Sequence, residues 1–457
     1  MPEPVPVTMS ATLAADEELT RRREAGEQVL ALASGEIGLP VLDALRMRLA
    51  AAAHRNAYGP VAGSPALRTA AAGYWQRRAL ATDPALVVAG PGSKPLLFAL
   101  MLAIGGDTVV PVPSWVSYAT QARLAGARPL PVPTPPGQGG VPDPDALREA
   151  VTRARAAGRT VRGVIVTLPD NPTGTIAHPD TLRRLAEAAR DLDLVIVSDE
   201  IYCDLVFDPA DSAAAPAAGV PCGSTAVPPP ALSPAHFAPE RTVVTTGLTK
   251  NLAVGGWRTG IARLPEGDLG RALHTRLTAV ASQLWSSTAA PVQDAAAWAL
   301  TEPAEVRAYV TAARRLHERV VTAAADRLAA AGARLAPVRA TCYLYPDFED
   351  LRTHLRQAHH VDGSDDLAAL FARRWGVGLL PATAFGEDTR PLRVRIATSR
   401  LYGDTEEQQN TALTAADPLA LPWIKAALDR LEEVLDLLTT TTARPAATAR
   451  PAVAARA

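Results

Sequence analysis

Lys250 closes the run Val243-Val244-Thr245-Thr246-Gly247-Leu248-Thr249, and Arg258 follows eight positions later, beyond the pair Gly255-Gly256. Most lysines are solvated surface charges. Here the flanks are small or apolar, so the amine sits at a strand's end in a partly dry setting, where desolvation disfavours the ammonium form and frees a nucleophile. Schiff-base chemistry needs such an amine.

Other stretches place polar groups where strands end. Gly90-Pro91-Gly92-Ser93-Lys94-Pro95 joins a strand to a helix, and its backbone N–H groups and helix dipole favour a phosphate, although an ordinary strand-to-helix turn reads the same way. Arg258 is either a bidentate partner for that phosphate or a surface arginine. Asn171-Pro172-Thr173-Gly174 is at least a good turn. In Asp199-Glu200-Ile201-Tyr202 a buried aspartate requires a cationic or donor partner. Asp199 would pair with a protonated ring nitrogen, and Tyr202 would donate to a phenolic oxygen. Trp115 either stacks on a flat ring or packs in the core.

The elements that position these groups follow from periodicity. Short apolar segments at 86–88, 108–112, 161–167, 192–197 and 242–246 alternate with helical patterns at 94–102, 143–156 and 179–189. Continuous Val/Ile runs between helices imply an α/β fold with a mostly parallel central sheet flanked by helices, and ligands at the carboxyl ends of its strands. Ahead of this region, residues 1–15 read as mobile, 16–26 as a charged helix, 29–33 as a strand, Gly35-Glu36-Ile37-Gly38-Leu39-Pro40 as a turn and 40–53 as a helix. Ser64-Pro65 opens another helix with proline in its first turn. Residues 209–238, rich in Ala, Pro and Gly, read as a surface insertion. A long helix over 303–331 leads to a smaller α+β domain with strands at 343–347, 377–380 and 392–396, a second insertion at 402–421, a helix over 422–438 and a disordered tail. The expected divisions are 1–45, an N-terminal arm packing with the small domain; 46–302, the large domain; 303–438, the small domain; and 439–457, the tail.

Composition excludes several classes. A chain of 457 residues suggests two domains, and 48% hydrophobic with 20% charged residues describes a soluble globular protein. A net charge of -1 supplies no basic field for nucleic acid or anionic membrane. Cys203, Cys222 and Cys342 have neither metal nor redox spacing, so no metal site and a reducing cytoplasm are expected. The N-terminus lacks a basic segment followed by an apolar run, and the most apolar stretch, 96–104, is too short to span a bilayer.

Phosphate turn, Asn-Pro-x-Gly, Asp-x-x-Tyr, Lys and Gly-Trp-Arg occur in one order, and over roughly residues 28–438 the chain thereby resembles the class I/II aminotransferases of fold type I, which depend on pyridoxal 5'-phosphate (PLP). The resemblance implies that the large domain binds PLP, that Lys250 forms the internal aldimine and that Asp199 keeps the pyridine nitrogen protonated. It implies that Asn171 and Tyr202 bond the ring oxygen, Trp115 and Ile201 sandwich the ring, and Gly92, Ser93, Lys94 (through backbone groups), Thr249 and Arg258 complete the cofactor site. Tyr58, in Ala57-Tyr58-Gly59-Pro60, resembles the tyrosine that reaches the neighbouring subunit's phosphate, which implies a homodimer. Arg393 resembles the arginine that grips the substrate α-carboxylate, with Arg395 as the alternate two positions on. Gly35, Trp115 and Asn171 complete the substrate set.

Two departures stand out. Gly247 replaces a serine often found three positions before the lysine, and Gly35-Glu36-Ile37-Gly38 replaces Gly-Glu-Pro-Asp. The expected reaction is transamination from an L-amino acid to a 2-oxo acid through the Lys250 aldimine and a pyridoxamine intermediate, with catalytic roles for Lys250, Asp199 and Tyr202. A PLP-dependent lyase, cyclase or oxidase on the same fold is the closest alternative, and a non-catalytic regulator a more distant one.

Overall fold

A computed structural model describes residues 9–207 and 233–440. After the helix Ala11–Glu24 comes a two-residue strand, β1 (Leu30–Ala31), and then the helices Asp43–Ala52 and Pro65–Gln76. Ser64 caps the last of these by accepting from the Leu67 amide at 3.2 Å, with Pro65 in the first turn where its missing N–H costs nothing. The main sheet follows: β2 (Val87–Gly90), β3 (Asp107–Val112), β4 (Pro129–Pro133), β5 (Val161–Thr167), β6 (Val195–Asp199), β7 (Thr242–Gly247) and β8 (Gly260–Arg263). Its order is β2-β8-β7-β6-β5-β3-β4, parallel except for β8, which runs antiparallel to β2 and β7. This is the mostly parallel, helix-flanked sheet that the alternating pattern predicts.

Helices cover the sheet for the reason their sequences give. Pro179–Asp191 buries Leu182, Leu185, Ala186 and Ala189, one stripe at helical spacing, and each leucine contributes about 1.5–3 kcal/mol by leaving water. Ser93–Ile104 is apolar on nearly every side because it lies between the sheet and the helix Asp268–Leu284.

After the helix Ala290–Leu300, the 27-residue helix Ala304–Ala330 leads to β9 (Tyr343–Leu344), β10 (Val377–Gly378), β11 (Leu380–Pro381) and β12 (Val394–Ala397). These build an antiparallel sheet, β11-β12-β9, and a parallel pair, β1-β10, by which the N-terminal segment joins the C-terminal unit.

Several expectations need correction. Residues 11–15, read as mobile, belong to the first helix, which is anchored by Leu19 packed against Gly378, where a Cβ would come within 2.5 Å of the leucine. Residues 402–421, read as an insertion, hold a helix, Glu406–Thr414, capped by Thr405 and packed on Ala304–Ala330, and Tyr402 is fully buried. Of the segment 209–238, residues 233–238 are a capped turn with Ser233, Ala235 and Ala238 buried. Residues 208–232, Cys222, the first eight residues and the tail from 441 lie outside the described residues.

Two strands carry no pattern that reveals them. β4 has prolines at 129, 131 and 133, and as the sheet's edge it can turn their missing N–H groups outward. β8 ends in a buried arginine, Arg263, whose guanidinium donates to the Ala81 carbonyl and the Thr82 hydroxyl.

Candidate active site

The carboxyl ends of the parallel strands converge on Lys250. β7 ends at Gly247, and three residues later the Lys250 Nζ donates to the Gly35 carbonyl at 2.6 Å. Burial lowers the ammonium pKa from 10.5 to about 8, so the neutral amine is accessible near neutral pH. Gly247 is dictated by packing: a Cβ there would meet the Thr259 carbonyl oxygen at 2.5 Å across the β7–β8 pair. A serine at this position has no room.

Asp199, at the end of β6, is 3% exposed. Its Oδ2 accepts from the Tyr118 hydroxyl at 2.8 Å and its Oδ1 from Thr245 at 3.3 Å, Thr245 being its register partner on β7. Burial pushes its pKa up to about 6, against the pull of those two hydroxyls. Tyr118 also touches Thr167 at 2.7 Å. Tyr118 and Thr245 were not singled out in the sequence, although Tyr118 follows Trp115 by three residues and Thr245 lies in the lysine's own run. Trp115 lies just ahead of the helix Tyr118–Leu124, and its ring stands edge-to-face with Tyr118 at 5.2 Å.

Asn171 follows β5 in a turn fixed by Asp170, whose Oδ2 accepts from the Thr173 amide and hydroxyl. Asn171 Nδ2 donates to the Tyr202 hydroxyl at 3.4 Å, and that hydroxyl lies 3.0 Å from Tyr343's. Tyr343, on β9, was also missed; β-branched and aromatic residues in a short strand read as core. Ile201 is 7% exposed and lies under Gly247, 3.3 Å from where a Cβ would stand.

The turn after β2 is closed by glycines. Gly260 of β8 lies so near that a Cβ would be 2.5 Å from the Gly92 carbonyl carbon and 2.6 Å from the Ser93 amide nitrogen. A Cβ on Gly92, at φ +97°, would strike the Arg258 guanidinium. Arg258 itself holds the left-handed conformation, φ 56°, and donates to the Gly255 carbonyl at 2.8 Å. Such a conformation in a non-glycine residue is strained and recurs at functional sites. Lys94 places its Nζ 5.2 Å over the Trp115 ring, with its pKa lowered by burial and then by Arg258. Thr249 is half-buried, its methyl near Gly255, and Tyr58 is 93% exposed.

Arg393, just before β12, and Arg395, within it, separate. Arg395 is 1% exposed; its Nη1 donates to Asn171 Oδ1 at 3.3 Å, another nitrogen donates to the Ala33 carbonyl, and its Cζ lies 5.0 Å over the Tyr343 ring. Arg393, the arginine expected to grip a carboxylate, is occupied elsewhere. Its side chain is 38% exposed and bonded to Asp347 and Glu387, both at 2.9 Å. The alternate, Arg395, is the arginine beside Lys250, and Gly35 shares its surroundings: a Cβ there would meet the Tyr343 hydroxyl at 3.0 Å.

Among the described residues no three His, Cys, Asp or Glu side chains gather as a metal site, and no helix is long and apolar enough to cross a membrane. Residues 27–405 match the family model described as aminotransferase class I and II. The chain is 33% identical over 316 residues to a probable aspartate/prephenate aminotransferase of Thermus aquaticus, covering 68% of this chain and 74% of that protein. It is 30% identical to the aspartate aminotransferase of Geobacillus stearothermophilus, covering 86% of this chain and 93% of that protein. The structure of Thermus thermophilus aspartate aminotransferase with maleate superposes with a TM-score of 0.74 at 28% identity, covering 93% of this chain and 97% of that one.

Proposed function

The chain belongs to the class I and II aminotransferases, PLP-dependent enzymes that move an amino group between an amino acid and a 2-oxo acid, and we propose from that premise how its residues serve the reaction and which substrates it takes. One observation carries the assignment. The buried Asp199 carboxylate has a hydroxyl donor on each oxygen and, among the described residues, no cation in ion-pair range, the demand a protonated pyridine nitrogen meets. The other residues fit the same group. Gly92, Ser93 and Lys94 offer backbone N–H groups at a helix start beside Arg258, a cradle for the phosphate. Tyr202 and Asn171 stand ready for the ring oxygen, Trp115 and Ile201 for the two ring faces, and Thr249 for the rim beside Lys250.

When bound, PLP supplies an electron sink for the charge left at the substrate Cα. Arg395 holds the α-carboxylate, which aligns the Cα–H bond toward Lys250. The Lys250 amine, its pKa lowered by burial to about 8 so that a neutral fraction is present near neutral pH, removes the Cα proton. Asp199 holds the ring-nitrogen proton, and Tyr118 and Thr245 keep that carboxylate ionised and aimed.

The proposed substrates are dicarboxylic amino acids and their 2-oxo acids. Lys94 presents a half-buried ammonium over Trp115 with, among the described residues, no carboxylate in ion-pair range, and the relatives named above act on aspartate. The exposed Tyr58 would reach the phosphate of a second subunit, making the protein a homodimer. We also propose that 46–302 acts as the large domain and 303–438 as the small one, with 1–45 packing against the latter, and that the enzyme, with buried free thiols at Cys203 and Cys342, works in the cytoplasm.

The test is a half-reaction. PLP-loaded protein given aspartate or glutamate alone should release one 2-oxo acid per site and then stop until a 2-oxo acid is added. Continuous turnover of the donor alone would instead indicate a lyase, cyclase or oxidase. Lys250→Ala should abolish both the release and the visible absorbance of the bound cofactor.

A further inference from the structure

Tyr343 comes from β9 of the C-terminal unit, yet its hydroxyl sits among groups carried by the large sheet. The hydroxyl lies 3.0 Å from the Tyr202 hydroxyl and 3.4 Å from the Gly35 carbonyl, and the two rings meet edge-to-face at 5.5 Å and 87°. Both phenols are buried, and burial raises both above the usual phenol range, so each keeps its proton and each needs an acceptor. The Gly35 carbonyl, which Lys250 holds at 2.6 Å, is the more distant of the two acceptors Tyr343 can reach, at 3.4 Å, and Tyr202 receives a hydrogen bond from Asn171. Once a ring oxygen accepts the Tyr202 proton, the closer contact, at 3.0 Å, is the one along which Tyr343 donates to Tyr202. The place of Tyr343 is held firmly: Gly174, at φ +69°, lies where any Cβ would strike the Tyr343 carbonyl.

Resting on the PLP reading above, we infer that Tyr343 is a positioning residue with two separable roles: its hydroxyl donates to Tyr202 and so aims the Tyr202 proton at the cofactor's ring oxygen, and its ring face seats the Arg395 guanidinium for the substrate α-carboxylate. A phenol that receives a second hydrogen bond becomes a better donor itself. A better donor at the ring oxygen stabilises its anionic form, and the proton shared between that oxygen and the Lys250 nitrogen is then released at lower pH. The ring role is a cation–π contact, with the guanidinium carbon 5.0 Å from the ring centroid. The titratable and charged groups facing Tyr343 are Tyr202, Cys342, Arg395 and Asp16 of the first helix, with Lys250 reached through the Gly35 carbonyl.

Tyr343→Phe and Tyr343→Leu separate the roles. In PLP-loaded protein the visible absorbance is titrated with pH, and KM for an amino donor is measured beside it. Tyr343→Phe, which removes the hydroxyl and keeps the ring, should raise the spectroscopic midpoint by about half to one pH unit and leave KM within about twofold. Tyr343→Leu should raise the midpoint equally and also raise KM by about three- to tenfold. A Tyr343→Phe midpoint equal to that of the parent overturns the hydroxyl role, and a Tyr343→Leu KM equal to that of Tyr343→Phe overturns the ring role. A parent protein that takes up no PLP overturns the cofactor reading instead, and the inference with it.

Discussion

Replacing Arg393 and Arg395 one at a time separates a surface ion pair from a substrate clamp. Arg395 is 1% exposed, bonded to Asn171, and its Nε is buried without a partner, so its fork has capacity to spare for a ligand. Two hydrogen bonds from a buried guanidinium to a carboxylate are worth about 1.5–3 kcal/mol each. Losing both in Arg395→Ala should lower kcat/KM for an amino donor by roughly 10²- to 10⁴-fold, at about 1.36 kcal/mol per decade. Arg395→Lys, which keeps the charge without the fork, should fall between Ala and the parent. Arg393 is 38% exposed and bridges Asp347 and Glu387, and pairs at such exposure contribute about 0–1 kcal/mol, so Arg393→Ala should change kcat/KM by no more than about fivefold. The assay is single-turnover release of 2-oxo acid from the loaded protein over a range of donor concentrations. A primary amine lacking the α-carboxylate serves as control, and its slow reaction should not respond to Arg395→Ala. If Arg393→Ala proves the damaging change and Arg395→Ala the mild one, the placement of the clamp is wrong.

Three further outcomes follow from the buried charges and the exposed loop. Lys250 is nucleophilic only when neutral, so PLP capture by the free protein should accelerate about tenfold per pH unit below pH 8 and level off above it, read by stopped-flow absorbance. Asp199 has its folded pKa raised from 3.8 to about 6, so its stabilising contribution is fully present below pH 3.8 and is lost as pH rises through 6. Asp199→Asn should therefore stabilise the PLP-free protein at pH 8 by about 1–3 kcal/mol in denaturant titrations and not at pH 4, while lowering kcat of the loaded enzyme by about 10²-fold or more. Tyr58→Ala should weaken PLP binding about tenfold, and mixing it with Lys250→Ala should produce hybrid dimers that regain one intact site, measured as activity rising on subunit exchange.

The sheet was legible where a strand carries a run of branched apolar residues. β5 (Val161–Thr167) carries the apolar run Val164-Ile165-Val166, and its limits are those the pattern predicts. β4 and β8 were not legible, because proline and arginine report an edge and a buried polar anchor only once the neighbouring strand is known. The helix Glu406–Thr414 hid for a related reason. Its polar composition reads as an insertion, and what fixes it is the tertiary surface of Ala304–Ala330, together with a buried hydrogen bond at 2.5 Å between His317 and Tyr402.

At the site, sequence order identified the groups that each element presents at its own end, and failed for the groups whose place depends on two elements at once. Thr245 matters because β6 and β7 are in register and bring it opposite Asp199; nothing in its own neighbourhood distinguishes it from Thr246. Arg393 and Arg395 are two positions apart, so strand periodicity puts them on the same face and cannot choose between them. Their partners choose. Arg393 bridges to Asp347, which holds its charge at the rim, whereas Arg395 lies opposite Leu380, and among the described residues Asn171, a backbone carbonyl and two aromatic faces receive it. A guanidinium buried without a carboxylate among the described residues is costly unless a ligand brings one. Arg395 is therefore where a substrate carboxylate should contribute most, and Asp199, buried without a cation, is its counterpart for the cofactor. Both charges lie within electrostatic reach of Lys250, whose pKa of about 8 would let a single amine capture the cofactor and later move the substrate's proton.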